Sequence, residues 1–282
     1  MAGPVVIRDL PEIGITVISR WVFNCYVVHD RGDGRPMVID LGLPSQLPAV
    51  REVLREQGQD PDDLGAVVAT HGHVDHVAGL TALTANDRAE ILLPRTVEAM
   101  LAGTRPLRSP GPAAMSRILP VVAEQPRDWS ALGELRPLMG HIGYDGRHIA
   151  FPEGADGWLD DDTPLPGAPD WRVVHAPGHT DDATCLFHEP TRTLISGDSV
   201  VSFAGRAWCN PEYVDAGESA ATAARLRSLS VEHLLPGHGH IVTGRDVMGD
   251  AWDHDDHPPR SGRLRALWRI GRDHAAHHPG PS

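Results

Sequence analysis

Thr70-His71-Gly72-His73-Val74-Asp75-His76 follows directly on the apolar run Ala66-Val67-Val68-Ala69 and carries three histidines and an aspartate within six residues. Neutral imidazoles and carboxylates bind divalent metals such as Zn²⁺ at about 2.0–2.2 Å. Ligands delivered from the mouth of a buried strand are held by a rigid scaffold. If the strand runs on through residue 73, His71 and His73 project to the same side, because side chains alternate with period two. One metal can then take both. Asp75 and His76 follow the strand, where Val77-Ala78-Gly79-Leu80 opens a helix, so they can turn toward a second metal. The competing reading is a polar loop with chance histidines, and four potential ligands in this order argue against it.

The T-H-G-H-V-D-H stretch resembles the H-x-H-x-D-H signature of the metallo-β-lactamase-fold hydrolases, which include glyoxalase II-type thioesterases and lactonases. The resemblance implies a binuclear site with further ligands elsewhere in the chain. Asn24-Cys25-Tyr26-Val27 and Asp40-Leu41-Gly42 are similar to the opening strands of the same superfamily.

Composition narrows the field. The chain has 282 residues with 41% hydrophobic content, enough for one large α/β domain or two small ones. A formal net charge of −13 offers no electrostatic footprint for nucleic acid. Cys25, Cys185 and Cys209 are widely spaced, which points away from a disulfide framework and toward a reducing, cytoplasmic setting. The first ten residues lack a continuous apolar core, and no apolar run approaches the ~20 residues a membrane helix requires.

Taken in order, residues 5–39 read as strands: Val5-Val6-Ile7, Gly14 to Ile18, Trp21 to Val28 and Met37-Val38-Ile39, the last ending in Asp40. A helix is predicted over Pro48 to Gln57, stopped by Gly58. The order then repeats. Thr193-Leu194-Ile195-Ser196-Gly197-Asp198 is an apolar strand ending in aspartate, as 37–40 is. A helix is predicted from Gly217 to Leu229, with Asp215 and Glu218 as a capping pair. Leu234-Leu235-Pro236-Gly237-His238 ends in histidine, as 66–71 does. Strand-Asp, helix, strand-His occurring twice predicts two facing halves, a four-layer αβ/βα sandwich with its site along the shared strand edge.

Residues 1–250 are thus expected to form the hydrolase domain, with 96–165 a proline-interrupted cap or insertion after a short helix over 96–101. Residues 251–282 are expected to be a polar extension. Within it, Asp253-His254-Asp255-Asp256-His257 reads as a solvated loop, and Ser261 to His274 as a basic amphipathic helix.

The resemblance also supplies the remaining ligands. His179, in Pro177-Gly178-His179-Thr180, is the third ligand of the first metal, with Asp181-Asp182 where the superfamily commonly has Pro-Gly. His175 is read as structural. Asp198 matches the superfamily's bridging carboxylate, which true zinc β-lactamases lack, and this points to the glyoxalase II and lactonase side. His238 completes the second set, with His240 a weaker rival. The constellation is His71, His73 and His179 on one metal, Asp75, His76 and His238 on the other, and Asp198 across both. Asp40 is the candidate to orient an imidazole from behind.

The implied reaction uses hydroxide shared between two divalent ions, zinc first and iron or manganese otherwise, to cleave a thioester, ester or lactone bond of a small molecule. Asp75 and Asp198 are candidate catalytic residues that relay protons. Arg206, Trp208 and Tyr213 are candidate substrate contacts. Two other readings stay open: a mono-iron persulfide dioxygenase of the same fold, using the first site alone, and a non-catalytic metal-binding protein.

Overall fold

In the computed structural model the described residues are 5–83, 89–125, 128–141, 148–149 and 154–256. Two sheets stack face to face. The first contains β1 (Val6–Leu10), β2 (Ile15–Arg20), β3 (Phe23–Val28), β4 (Met37–Ile39), β5 (Ala66–Val68), β6 (Glu90–Pro94) and β7 (Gly157–Leu159) in that spatial order. Its early strands form an antiparallel meander, and β4 to β7 are parallel. The second sheet contains β8 (Pro164–Leu165), β9 (Ala168–His175), β10 (Thr184–His188), β11 (Thr193–Gly197), β14 (His233–Pro236) and β15 (Val242–Thr243). Its order is β15-β14-β11-β10-β9-β8, with only β11 and β14 parallel. A separate ribbon joins β12 (Val200–Phe203) to β13 (Arg206–Cys209).

The sequence dictates the layers. Strands buried on both faces should read as continuous apolar runs, and β4 and β5 do. Alternate residues of these runs go to opposite cores. Tyr26, Met37, Ile39, Ala66 and Val68 meet Trp171, Val173, Leu186, Ile195 and Leu235 between the sheets. Val27, Val38 and Val67 face outward, onto helix α1 (Leu47–Glu56), whose Leu47, Val50, Val53 and Leu54 are buried.

On the far side, the mid-late helix of residues Ala216–Arg227 lays Ala223 and Leu226 against Val174, Cys185 and Leu234 of the second sheet. The result is the four-layer αβ/βα sandwich expected of the repeated strand-helix-strand order. Asp215 caps that helix by accepting a hydrogen bond from the Glu218 amide at 3.0 Å, as its spacing predicts.

Two expectations change. The strand before the histidine motif ends at Val68, so His71 and His73 stand on a loop and do not alternate along a strand. The ladder stops because the next backbone groups are taken elsewhere: the Thr70 amide donates to Asp40 Oδ1 at 2.8 Å and the Thr70 carbonyl accepts from the Thr184 amide at 3.0 Å. The 96–165 segment is also less of an excursion than expected. Helix α2 (Val74–Val77) is followed by α3 (Arg95–Leu101), which buries Val97 and Met100 in the first core, while β7 and β8 extend one sheet each.

What leaves the sandwich is a helical insert: α4 (Pro112–Met115), α5 (Leu119–Glu124) and α6 (Trp129–His141). Arg20 at the end of β2 is fully buried and anchors this insert. Its guanidinium donates to Asp128 at 2.9 Å and Ser130 at 3.0 Å, and also meets Ser45 and Glu134. Ala131 and Leu135 pack on Trp21, Val22 and Phe23, and Val121 packs on the β12–β13 ribbon. The helix of Ala216–Arg227, next in order, is α7. The tract predicted as a basic helix, 261–274, lies outside the described residues.

Candidate metal centre

Asp40, Thr70, Asp198 and His238 follow the carboxyl ends of β4, β5, β11 and β14, so parallel strands aim four successive loops at one edge of the sandwich. Ligand sites of α/β folds form at such edges. Two donor sets assemble there, one of His71, His73, His179 and Asp198 and one of Asp75, His76 and His238, with the ligand atoms of each set within 4.8 Å of one another. Six of the seven residues are buried, Asp75 being partly exposed.

Asp198 stands between the sets. Its Oδ2 lies 3.5 Å from His179 Nε2, 3.9 Å from His71 Nε2 and 3.2 Å from His238 Nε2. Its Oδ1 lies 3.4 Å from His76 Nε2. Asp75 Oδ2 is 3.3 Å from His238 Nε2 and 4.0 Å from His76 Nε2.

Each imidazole presents one nitrogen to this centre and has the other against an acceptor, the arrangement that fixes a ligating tautomer. His71 Nδ1 is 3.2 Å from Thr70 Oγ1, which in turn donates to Asp40 Oδ2 at 2.9 Å. His76 Nδ1 is 2.9 Å from Asp40 Oδ2. His179 Nδ1 donates to the Glu212 carbonyl at 2.7 Å, and His238 Nδ1 to the Val22 carbonyl at 2.9 Å. His73 turns Nδ1 inward, 3.2 Å from His179 Nε2, and Nε2 outward, 3.3 Å from Ser109 Oγ.

The donor set fits divalent metal. His71 Nε2, both ring nitrogens of His76 and Asp198 Oδ1 are buried without an aligned hydrogen bond, His76 Nδ1 having only the close approach of Asp40, an arrangement costly for polar atoms that nothing binds. The backbone also leaves space. A side chain at Gly237 would bring its Cβ to 2.5 Å from Asp198 Oδ1 and 2.8 Å from His76 Cε1.

Electrostatics of the metal-free chain agree for the first set. Burial and the neighbouring rings hold His71 well below the usual imidazole range. Burial and His179 hold His73 down to about 3, and burial lowers His179 as well. All three are neutral, as ligation requires. At His76 and His238 burial also favours the neutral ring, but Asp198 with Asp40 or Asp75 outweighs it and raises both. Partly exposed Asp75 and buried Asp198 are both lowered against the cost of desolvation, because His76 and His238 stand beside them.

Asp40 occupies the place from which it was expected to support a ligand, and His175 is occupied elsewhere, its Nε2 lying 3.0 Å from the Asp181 carbonyl. His240 is exposed and faces Gln125. Among the described residues, 253–256 belong to neither donor set.

Two expected substrate contacts are placed otherwise. Arg206 donates to the Asp250 carbonyl and stacks 5.1 Å over Trp252, and buried Trp208 donates its indole N–H to the Asp253 carbonyl at 3.0 Å. The ribbon that carries them packs on α5 and on residues 250–253, so their side chains are spent on that packing. Tyr213 does line a cleft. With Pro106, Leu107, Arg108, Ser109, Pro110, Gly111 and Val214 it bounds a cavity of about 510 Å³, whose Ser109 touches the outer nitrogen of His73.

Two residues near the centre escape sequence reasoning, Ser109 and Glu212, and a third, Asp182, stands out there only as a departure from Pro-Gly. Asp182 accepts the Gly72 amide at 2.6 Å, fixing the backbone between His71 and His73. Burial and then Asp198 push the Glu212 carboxyl up to about 8. Ser109 and Glu212 carry no local signal, since each reaches the centre from a loop outside the ligand motifs.

The profile of the metallo-beta-lactamase superfamily matches residues 20–238, and the chain belongs to that superfamily. It is 22% identical over 253 residues to the probable metallo-hydrolase YflN of Bacillus subtilis, covering 84% of this chain and 88% of that one. It is 28% identical over 226 residues to the acyl-coenzyme A thioesterase MBLAC2 of Gallus gallus, covering 74% and 70%. Among solved structures it is similar to the DIM-1 metallo-beta-lactamase, with a TM-score of 0.58 at 16% identity, covering 88% of this chain and 95% of that one. TTHA1623 in a di-iron-bound form gives 0.52 at 22% identity, covering 83% and 93%. These structural likenesses show the fold.

Proposed function

We propose that this protein is a hydrolase that uses two divalent metal ions to cleave a thioester, ester or lactone bond of a small molecule. One observation carries the reading: two complete donor sets meet on either side of a single buried carboxylate, Asp198. Two ions bound there supply Lewis acidity and an activated water, whose pKa a single bound metal already lowers toward ~7.

The chain's own residues do the rest. Neutral His71, His73 and His179 hold one ion, and Asp75, His76 and His238 the other. Asp198 offers one carboxylate oxygen toward His76 and the other toward His179 and His238, and its negative charge offsets the repulsion between two cations. Asp75 and Asp198 are the residues assigned to proton handling. The cavity at Ser109 and Tyr213 receives the substrate beside His73, and Tyr213 is the retained substrate contact. An acyl bond is favoured by likeness to a thioesterase and by the net charge of −13, which disfavours polyanionic nucleic acid.

Zinc is the metal of choice for this nitrogen- and oxygen-rich set, with iron the first alternative because a structural neighbour holds two. Three buried, unpaired cysteines support a reducing cytoplasm. Among the described residues no helix is long and apolar enough to cross a membrane.

The test is metal content together with a panel of acyl-thioesters, aryl esters, homoserine lactones, a cephalosporin and bis-nitrophenyl phosphate at equal concentration. Near two equivalents of metal and preference for an acyl substrate are expected. A tenfold higher kcat/KM on the phosphodiester or cephalosporin, about 1.4 kcal/mol in the barrier, would refute the substrate class. One equivalent of iron with oxygen uptake on a persulfide would refute hydrolysis.

A further inference from the structure

Four of the five histidines of the centre are held from behind by the two sheet halves: His71 by Thr70, His76 by Asp40, His179 by the Glu212 carbonyl and His238 by the Val22 carbonyl. His73 is the exception. Its outer nitrogen meets Ser109, which belongs to the loop leading into the helical insert.

We propose that Ser109 is the positioning residue that fixes the His73 imidazole as a ligand, and that a carboxylate pair, Asp181 and Asp182, holds both partners in register. This rests on the metal-centre reading above and not on the choice of substrate. His73 Nδ1 faces the first donor set, 3.2 Å from His179 Nε2, so a ligating ring carries its proton on Nε2 and donates it to Ser109 Oγ at 3.3 Å.

The loop that delivers Ser109 is clamped. Arg108 Nε donates to both oxygens of Asp181, at 2.9 and 2.8 Å, and Arg105 lies 3.1 Å from the same carboxylate. Asp181 is buried, and a fork-like pair of this kind adds direction as well as strength. The next residue, Asp182, grips the Gly72 amide. Adjacent carboxylates thus hold the loop of His73 on one side and the loop of Ser109 on the other. These are the two positions at which the sequence departs from the Pro-Gly of its resemblance, so the departure has a structural use here.

The test uses the full chain and its Ser109→Ala and Ser109→Thr variants, stripped and reloaded with Zn²⁺. Chelator competition reads the affinity of each equivalent, and long-range ¹H–¹⁵N spectra of histidine-labelled protein read the His73 tautomer. Ser109→Ala is expected to weaken one equivalent by about 10- to 100-fold, the usual cost of losing an outer-sphere partner, to leave the other unchanged, and to mix the His73 tautomers. Ser109→Thr restores both. Metal-free Ser109→Ala should melt as the metal-free parent does. If Ser109→Ala keeps parental affinity and a single His73 tautomer, the inference is overturned while the metal centre stands. If the parent itself takes up no zinc, both readings fall together.

Discussion

Asp40 Oδ2 lies 2.9 Å from His76 Nδ1 and accepts the Thr70 hydroxyl at 2.9 Å, while Thr70 Oγ1 in turn faces His71 Nδ1. One carboxylate therefore backs a ligand of each donor set. It does so from a left-handed backbone, φ +57°, which aspartate and asparagine tolerate better than most residues.

Asp40→Asn should fold, because asparagine accepts that backbone, but it replaces one of two accepting oxygens with an NH₂ that accepts nothing and so faces a donor, the Thr70 amide or His76 and the Thr70 hydroxyl, in either orientation. Both metal equivalents are expected to weaken, by about 10- to 100-fold. Chelator competition checks this. Loss of one equivalent alone would show that the Thr70 relay to His71 carries no weight.

Asp198→Ala removes the carboxylate between the sets while leaving β11, whose apolar residues do the packing. The variant should unfold cooperatively and bind at most one metal tightly, with kcat on the best acyl substrate reduced by at least about 100-fold, a barrier increase of roughly 2.7 kcal/mol. Calorimetry, elemental analysis and steady-state kinetics on one preparation test the three parts.

Gly237→Ala places a methyl group against Asp198 and His76. Metal uptake should fall sharply while far-ultraviolet circular dichroism stays near that of the parent. Full metal content in this variant would mean that the 236–238 turn yields more readily than its Gly197 and Asn24 backbone contacts suggest.

The Glu212 carboxyl is raised to about 8 in the metal-free chain, above its unfolded value near 4.5. An unfolded state that loses this proton earlier is favoured as pH rises between those values, so native stability declines over that interval. Glu212→Gln has no such proton to lose. The melting temperature of the metal-free variant should therefore gain on the parent more at pH 8 than at pH 5. An equal difference at both values would show that Glu212 ionises freely in the fold.

The resemblance to the H-x-H-x-D-H signature indicates the seven donor residues that the fold brings together, and several of them, such as Asp198, stand where an apolar run stops. The same runs predict the layers: Val67 and Val68 must face opposite cores, and both are buried. Where the reading falls short, side chains had overruled local pattern. Period-two alternation beyond Val68 is lost because the Asp40 side chain captures the Thr70 amide, a contact across 30 positions. Arg206 and Trp208 follow Asp198 closely enough to suggest a cleft wall, yet the β12–β13 ribbon turns them onto residues 250–253. β8 and β7 are too short to announce themselves within a proline-rich stretch.

The hydrogen bond from His238 to the Val22 carbonyl spans 216 positions, and Asn24 and Tyr26 reach the Pro236 carbonyl across similar distances. Neither half of the molecule can close the centre alone, because the last ligand is oriented by residues near the start of the chain. Closure of the second donor set is consequently expected only once the two halves have docked. A chain stalled before Pro236 would present the full H-x-H-x-D-H motif and still lack His238, so occupancy of the second set is expected to measure completed assembly.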